Sequence, residues 1–528
     1  MPPPCGGGYP VILLLFSAMW NTMKERERLL CTGFPNSGEQ PTGDMHTPLP
    51  TAHSRLRPLL RGCVLVTVVV LILRTWYVEG LIFPCRVASG SMAETLLGPH
   101  YHVICEDCGH RFDCGADSAT DRPRAVCPNC GYADNDLASL GELAGDRLLI
   151  HKSAFQFHVP GPWKVRRPPR RWEVVAFRHP SQPGRIHIKR LVGLPGESIQ
   201  IRDGDVYVDG QIQRKNLRQQ RALAVLVHDA GARPRRESAP PSHWQSRRND
   251  SRWGSADGRF AHPSTSDAVT SDAVTSDAVT SDAAAIDWLH FHDEPITDRH
   301  GYNQMVVRRQ EEIHAVTDLM LSLRVVRTFG QSGLLLVRLG DGCDNFQLQL
   351  DPNRRRWEVL RNGRTVPGAV GLLPAIADGL LLEVSLFDRQ FLMAINGITA
   401  IVRPYAPSSP GPASSRASLD GSLAIGSQGL GVTLGDLRVY RDVYYTHPIG
   451  PDGRWGLDHP AELSEDEYFV LGDNSPISSD SRTWPDGPSV NAKLLVGKPL
   501  LVHFPARHVK LWKWTFQGPD PAKIRYIR

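Results

Sequence analysis

A chain of 528 residues exceeds one ordinary domain, so two or three folded units with linkers are expected. A hydrophobic content of 41% supports real cores, and a net charge of only +5, scattered along the length, argues against a nucleic-acid-binding role. Ten cysteines are too few for a disulfide scaffold but enough to mark a local site.

Residues 1–58 read as a cytoplasmic, disordered tail. The apolar run from Val11 to Trp20 is too short to span a bilayer, which takes about 20 residues. Lys24, Arg26 and Arg28 follow it, the wrong side for a signal-peptide core. Met23 and Met45 are alternative starts. The spanning candidate is 59–78, densest from Cys63 to Leu73, with Arg55, Arg57 and Arg61 ahead of it. The positive-inside rule keeps that flank in the cytoplasm and sends everything after Val78 outside. A buried soluble helix is the competing reading.

Directly beyond lies Ser89-Gly90-Ser91-Met92, where Ser91 is read as a nucleophile. A serine hydroxyl attacks at neutral pH only with a base in reach and donors for the oxyanion. Cys105, Cys108, Cys127 and Cys130 form two Cys-x-x-Cys knuckles, each followed by glycine. This spacing bends two thiolate pairs toward one tetrahedral ion, the pattern of a structural zinc ribbon with no open position. Disulfides are the alternative outside the cytoplasm. Further on, Lys189 sits in the alternating run Ile186-His187-Ile188-Lys189-Arg190-Leu191-Val192. Alternation sends Lys189 and Arg190 to opposite faces of a strand. A buried lysine, its pKa brought toward ~7–8, can act as a general base.

Residues 213–314 are polar, Arg-rich and Pro-rich and carry three Ser-Asp-Ala-Val-Thr copies between Ser266 and Thr280, so a linker is expected. Residues 315–445 change to short apolar runs, with Asn362-Gly363 and Asn396-Gly397 as hairpin turns. That pattern predicts an antiparallel sandwich and is similar to concanavalin-like or laminin-G-like jelly rolls. For this insertion a spacer or protein-docking role is favoured over sugar binding, and no paired carboxylates suggest glycoside hydrolysis.

Four segments, in order, carry a wider resemblance: "SGSM" at 89–92, "GDRLLIHK" at 145–152, "KRLVGLPGE" at 189–197 and "YFVLGDNSPISSDSR" at 468–482. Behind an apolar segment, this set resembles the type I signal peptidases, Ser/Lys-dyad membrane proteases that remove signal peptides. The resemblance implies Ser91 as nucleophile, Lys189 as general base, and an oxyanion site from the Ser89 hydroxyl and the Ser91 N–H. It implies Ser478 as the residue orienting the lysine, and Arg190, Asp473, Asp480 and Arg482 as structural support. One departure is Ile477, where the family has asparagine.

The expected fold is mainly β: a signal-peptidase-type β catalytic body behind one N-terminal transmembrane helix, with a zinc-ribbon insertion and a jelly-roll-like β-sandwich insertion. The expected divisions are the tail at 1–58, the transmembrane helix at 59–78, and a split catalytic domain at 79–104, 132–212 and 446–515. The ribbon takes 105–131, the linker 213–314, the sandwich 315–445 and a C-terminal tail 516–528. Implied partners are exported preproteins and membrane lipid, with a glycan or protein ligand for the sandwich and no nucleic acid. Catalysis would need no cofactor, the zinc being structural. The expected location is the cytoplasmic membrane, single-pass, with the catalytic domain extracytoplasmic. The alternative function is a membrane-tethered glycan- or protein-binding protein with a vestigial peptidase body.

Overall fold

Short apolar runs separated by glycine, asparagine and proline dictate strands, and the computed structural model is built almost wholly from antiparallel ones. It describes residues 62–73, 82–116, 123–158, 164–236, 242–264, 285–292, 296–303, 314–376, 379–408, 423–446, 454–511 and 514–527. The chain divides into two units, 1–72 and 73–528. In the first, the described helix begins at residue 62, and it runs on to residue 73. Among the described residues no helix is long and apolar enough to cross a membrane, and the rest of the expected span at 59–78 lies outside them. The expected tail at 1–58 also lies outside.

The second unit starts with a sheet ordered Ile82–Arg86, Arg147–His151, Leu495–Phe504, Val174–His179, Gln182–Gly193, Glu467–Leu471, Ser489–Asn491. Its strands come from segments hundreds of residues apart, so the sheet joins the two ends of the described chain around the long insertion. A smaller sheet, Gln211–Ile212, Asp205–Val208, Ser198–Arg202 and Ala461–Glu462, packs through Ile199 and Val206 against Val192, Phe469 and Leu471 of the large one.

Two further sheets face each other over one apolar core. One is ordered Gly254–Ala256, Arg259–His262, Gly431–Arg441, Leu319–Phe329, Leu380–Phe387, Gln390–Ile395, Ile398–Pro404, with Val225–Asp229 also pairing Gly431–Arg441. The other is Trp244–Ser246, Asp287–Phe291, Ala424–Gln428, Leu334–Gly340, Asn345–Asp351, Arg356–Arg361, Arg364–Leu372. Leu321, Leu323 and Val384 of the first meet Val337, Leu348 and Ile425 of the second, all buried, as alternation requires of facing sheets. Asn362-Gly363 and Asn396-Gly397 turn with φ of 49° and 79°, and 50° and 81°, the left-handed pair that a two-residue hairpin needs.

Three expected boundaries are corrected. Residues 213–314 are not a linker throughout: helix Leu217–Leu223 is closed by an Asn216/Gln219 capping box, and five strands between Val225 and Phe291 extend the two sheets. Their apolar residues, Val225, Val227, Trp244, Phe260, Leu289 and Phe291, are too dispersed to register as runs. Pairing to an existing sheet supplies their backbone partners, so little apolar content suffices. The Ser-Asp-Ala-Val-Thr copies lie outside the described residues.

The ribbon reaches beyond 105–131, because His100–Ile104 pairs Arg111–Gly115, Arg124–Ala125 pairs Asn135–Asp136, and Val103 and Leu137 pack with the cysteines. The expected tail at 516–528 is folded too. Arg525–Tyr526 pairs the strand Leu495–Phe504, and Arg525 donates to Asp146 at 3.1 Å.

Candidate active site

Ser91 lies in a single 3-10 turn, Gly90–Met92. Ser89 precedes the turn in extended conformation, and its hydroxyl does not cap it; it meets the Ser91 hydroxyl at 3.3 Å instead. The turn is held from the far end of the chain. Asn474 donates its backbone N–H to the Ser91 carbonyl at 3.2 Å and its side-chain amide to the Gly90 carbonyl at 3.0 Å. Met92 is buried, while Ser91 itself stays partly open to solvent.

Lys189 sits mid-strand in Gln182–Gly193, paired with Val175 on the neighbouring strand. It is 3% exposed, and its ammonium donates to Ser478 Oγ at 2.8 Å. Burial is the largest influence on it and drives its pKa from the ordinary 10.5 down to about 8. The nearby Asp480 and Asp473 pull upward and Arg482 downward, so these charges leave the effect of burial dominant. His187, on the same face two residues earlier, is also pushed by burial, to about 4.

Arg190 points the other way, as alternation predicts. It grips Asp473 with two bonds, Nε to Oδ1 at 2.7 Å and Nη2 to Oδ2 at 2.6 Å, and donates to the Trp172 carbonyl at 2.7 Å. Arg190 pairs Leu471 on the adjacent strand, which brings Asp473, two residues on, within reach. Asp480 and Arg482 form a second fork, at 2.9 and 2.8 Å, with both side chains fully buried. Burial alone would raise the Asp480 pKa, but the Arg482 charge and hydrogen bonds hold it below its ordinary value. Asp480 also accepts from the Gly472 N–H at 2.9 Å, and Arg482 donates to the Thr446 carbonyl and Ser475. Two carboxylates beside the lysine are thus already committed to guanidinium forks.

Gly472 joins the halves. A Cβ there would lie 2.1 Å from Ser478 Oγ and 2.5 Å from the Ser91 carbonyl oxygen, so the missing side chain lets the nucleophile turn and the lysine-bound hydroxyl close on one point. No hydrogen bond joins Ser91 Oγ to Lys189 Nζ among the described residues; catalytic contacts of this kind often tighten only with substrate. Ser89, Ser91, Lys189, Arg190, Asp473, Ser478, Asp480 and Arg482 therefore converge. Ile477, the residue that departs from the family pattern, is 43% exposed in the turn Ser475–Ile477 and faces away from this network.

Sequence reasoning missed Asn474, Gly472 and Thr95, whose hydroxyl donates to Asp473 and accepts from Arg190. Asn474 and Gly472 stand within the quoted "LGDN" run and were legible as a turn; Thr95 carries no signal of its own.

The four knuckle cysteines are buried, and their sulfurs all lie within 4.8 Å of one another. Cys105 and Cys130 are 3.6 Å apart and Cys108 and Cys127 3.7 Å, well beyond a sulfur–sulfur bond of ~2.05 Å. Each knuckle closes alike, Gly109 N–H to the Cys105 carbonyl and Gly131 N–H to the Cys127 carbonyl, both 2.9 Å. A tetrahedron with zinc–sulfur bonds of ~2.3 Å has edges of about 3.8 Å, so the donor set fits such an ion.

Among known proteins, the chain matches the family described as signal peptidase, peptidase S26, over residues 59–278 and 451–504. It is 38% identical over 69 residues to a probable signal peptidase I-1 of Synechocystis sp., covering 13% of this chain and 33% of that protein. It is 35% identical over 77 residues to signal peptidase I of Pseudomonas aeruginosa, covering 14% and 27%. With the Bacillus subtilis protein named signal peptidase I V it shares 30% identity over 88 residues, 16% and 46%. The chain thus aligns with less than half the length of these curated relatives. Solved structures such as sheep galectin-11, 10% identical over 24% of this chain and 92% of that one, align only at a TM-score of 0.18 and carry no argument about the insertion. With more than half its residues matched, and the matched motifs folded around one buried lysine, the chain belongs to the signal peptidase, peptidase S26, family.

Proposed function

We propose that the protein is a membrane-bound serine endopeptidase that removes signal peptides from exported preproteins through the pair Ser91 and Lys189. The observation that carries this reading is Lys189: buried, bonded to a neutral hydroxyl, and poised near pH 8 beside the Ser91 turn. The neutral amine takes the proton of Ser91 as Oγ bonds to the scissile carbonyl carbon. The Ser89 hydroxyl and the Ser91 N–H stabilise the oxyanion, which in such sites is worth about 10²–10³ in rate per donor. The lysine ammonium then passes its proton to the leaving amine, and the peptide bond breaks to leave an ester on Ser91. Water, deprotonated by the same lysine, attacks that ester and releases the acid, and Ser91 recovers its proton. Ser478 orients the amine, and the forks Arg190–Asp473 and Asp480–Arg482 hold the frame.

Every large apolar side chain from Val64 to Leu73 is exposed, which supports the membrane anchor over 59–78, and the flanking Arg55, Arg57 and Arg61 favour a catalytic body on the extracytoplasmic side of the cytoplasmic membrane. The four thiols would hold one structural zinc at the ribbon, with no part in the chemistry; metal analysis of purified protein should return one zinc per chain, and intact disulfides with no zinc would sink that assignment. The test of function is cleavage of a model preprotein by detergent-solubilised protein, wild type against Ser91→Ala, with the product N-terminus sequenced. Cutting after a small residue, lost in the variant, is expected. A folded wild type that cuts nothing would overturn the reading and favour a binding protein with a vestigial peptidase body.

A further inference from the structure

The segment 296–303 belongs to the long insertion, yet it packs against the turn that carries Ser91. On the insertion side it is anchored firmly. Arg441, buried at the end of the strand Gly431–Arg441, donates to the carbonyls of Asp298 at 2.9 Å and His300 at 2.6 Å. The backbone of Val316 donates to Ile296 at 2.7 Å, and that of Asp298 to His314 at 3.0 Å.

On the catalytic side Tyr302 is buried against Ala93 and Leu97, both just beyond Ser91, and its hydroxyl donates to the Pro99 carbonyl at 2.8 Å. Gly301 permits this approach: its φ is +113°, and a Cβ there would lie 2.4 Å from Glu94 Oε1 and 2.8 Å from Val225. The joint is tight, leaving about 10 Å³ of cavity among Asp298, Tyr302, Asn303, Asp473 and Asn474.

Next to Tyr302, Asn303 and Asn474 exchange two side-chain amide bonds. Asn303 Nδ2 donates to Asn474 Oδ1 at 2.6 Å, and Asn474 Nδ2 donates to Asn303 Oδ1 at 2.9 Å. The same Asn474 amide spends its second N–H on the Gly90 carbonyl, while the Asn474 backbone holds the Ser91 carbonyl. With both amide hydrogens and the amide oxygen engaged, Asn474 is held in one orientation, which the Gly90 carbonyl selects and the two bonds to Asn303 lock in place.

We propose that Asn303 is a positioning residue for Ser91, acting through Asn474, so that the inserted sandwich is a working part of the catalytic site. This rests on the peptidase reading for its kinetic consequence, while the structural coupling stands apart from it. Lys189 donates to Ser478 and, among the described residues, makes no hydrogen bond to this pair, so Asn303 governs the placement of Ser91 and leaves the lysine alone.

The experiment compares full-length Asn303→Ala and Asn303→Asp with wild type, in detergent, on a preprotein substrate and by amide hydrogen exchange. The loss of two neutral hydrogen bonds should lower kcat about thirtyfold for Asn303→Ala. KM and the pH midpoint should not move. Asn303→Asp can still accept from Asn474 Nδ2 and should recover part of the loss. Exchange protection of residues 90–93 should fall in Asn303→Ala while that of the sandwich strands holds. Unchanged kcat together with unchanged protection at 90–93 would overturn the inference, as would a kcat loss accompanied by a shifted pH midpoint. If wild type shows no Ser91-dependent cleavage, the peptidase reading fails, and the exchange result alone decides the coupling.

Discussion

Two buried lysines, Lys189 and Lys215, are each 3% exposed, and their pKa values move in opposite directions. Burial works downward on both. Among the described residues Lys189 hydrogen-bonds only the Ser478 hydroxyl, the nearby carboxylates Asp473 and Asp480 being gripped by Arg190 and Arg482, and burial brings it to about 8. Lys215 ion-pairs directly with Asp388 and, at 2.7 Å, with Asp442, and their charges raise it above the ordinary lysine value. Trp172 stands between the two sites, under the Lys215 ammonium at 5.0 Å and giving its carbonyl to Arg190. The contrast teaches that burial alone does not make a base: the arginine forks beside Lys189 remove the partners that would keep it charged. Lys215 instead fastens the insertion, since Asp388 and Asp442 both lie on the sandwich side of the chain.

The largest effect expected is from Lys189→Met. Cleavage should fall by about 10⁴-fold or more, as for loss of a catalytic base. Because the folded pKa lies below the unfolded one, Lys189 costs stability below about pH 8, and that cost fades as pH rises toward the unfolded value. The variant should therefore be more stable at neutral pH, by up to about 3 kcal/mol, in denaturant titration. Retained activity in purified protein would break the comparison.

Lys215→Met should do the reverse. It leaves two carboxylates buried without a cation, a loss of about 3–5 kcal/mol in the same titration. The pH midpoint of surviving activity should stay put. The Lys215 contribution is of raised-pKa type, present in full below the unfolded lysine value of about 10.4 and lost only as pH climbs through the folded value. A midpoint that moved with Lys215→Met would mean the two sites are electrostatically one.

Asp480→Asn orphans Arg482 and should also cost about 3–5 kcal/mol. Here the midpoint should drop below that of wild type, because an upward pull on Lys189 is lost while Arg482 remains. In wild type, kcat/KM should rise with pH through a midpoint near 8, where Lys189 loses its proton. A flat profile between pH 6 and 9, on the order of the range that spans this value, would remove Lys189 as the base. The smallest effect is expected from Ser478→Ala, about tenfold in kcat through loss of one orienting hydrogen bond, with the midpoint unchanged.

Much of this site was legible before any folding. The four ordered motifs pointed to Ser91, Lys189, Ser478 and the charged residues around them as candidates, and the fold brings these side chains together. The cysteine spacing was equally readable, since a knuckle is a local turn with its ligands two residues apart. Alternation placed Lys189 and Arg190 on opposite faces, and the Asn-Gly pairs marked their hairpins, because both follow from backbone geometry within a few residues.

The strands between Val225 and Phe291 were hidden for the complementary reason. Val225–Asp229 and Arg259–His262 pair Gly431–Arg441, and Asp287–Phe291 pairs Ala424–Gln428, so these strands are completed by segments far along the chain, and a borrowed sheet edge leaves almost no local pattern. Asn303 and Thr95 were silent likewise, being ordinary polar residues until the fold set them beside Asn474 and Asp473. The sequence by itself determined the candidate nucleophile and base and where the thiols and hairpins lie, since those signals are local. Only the tertiary structure decided that the lysine at 189 is poised and the one at 215 is not, because that difference depends on which carboxylates are left free at distances the chain order does not encode.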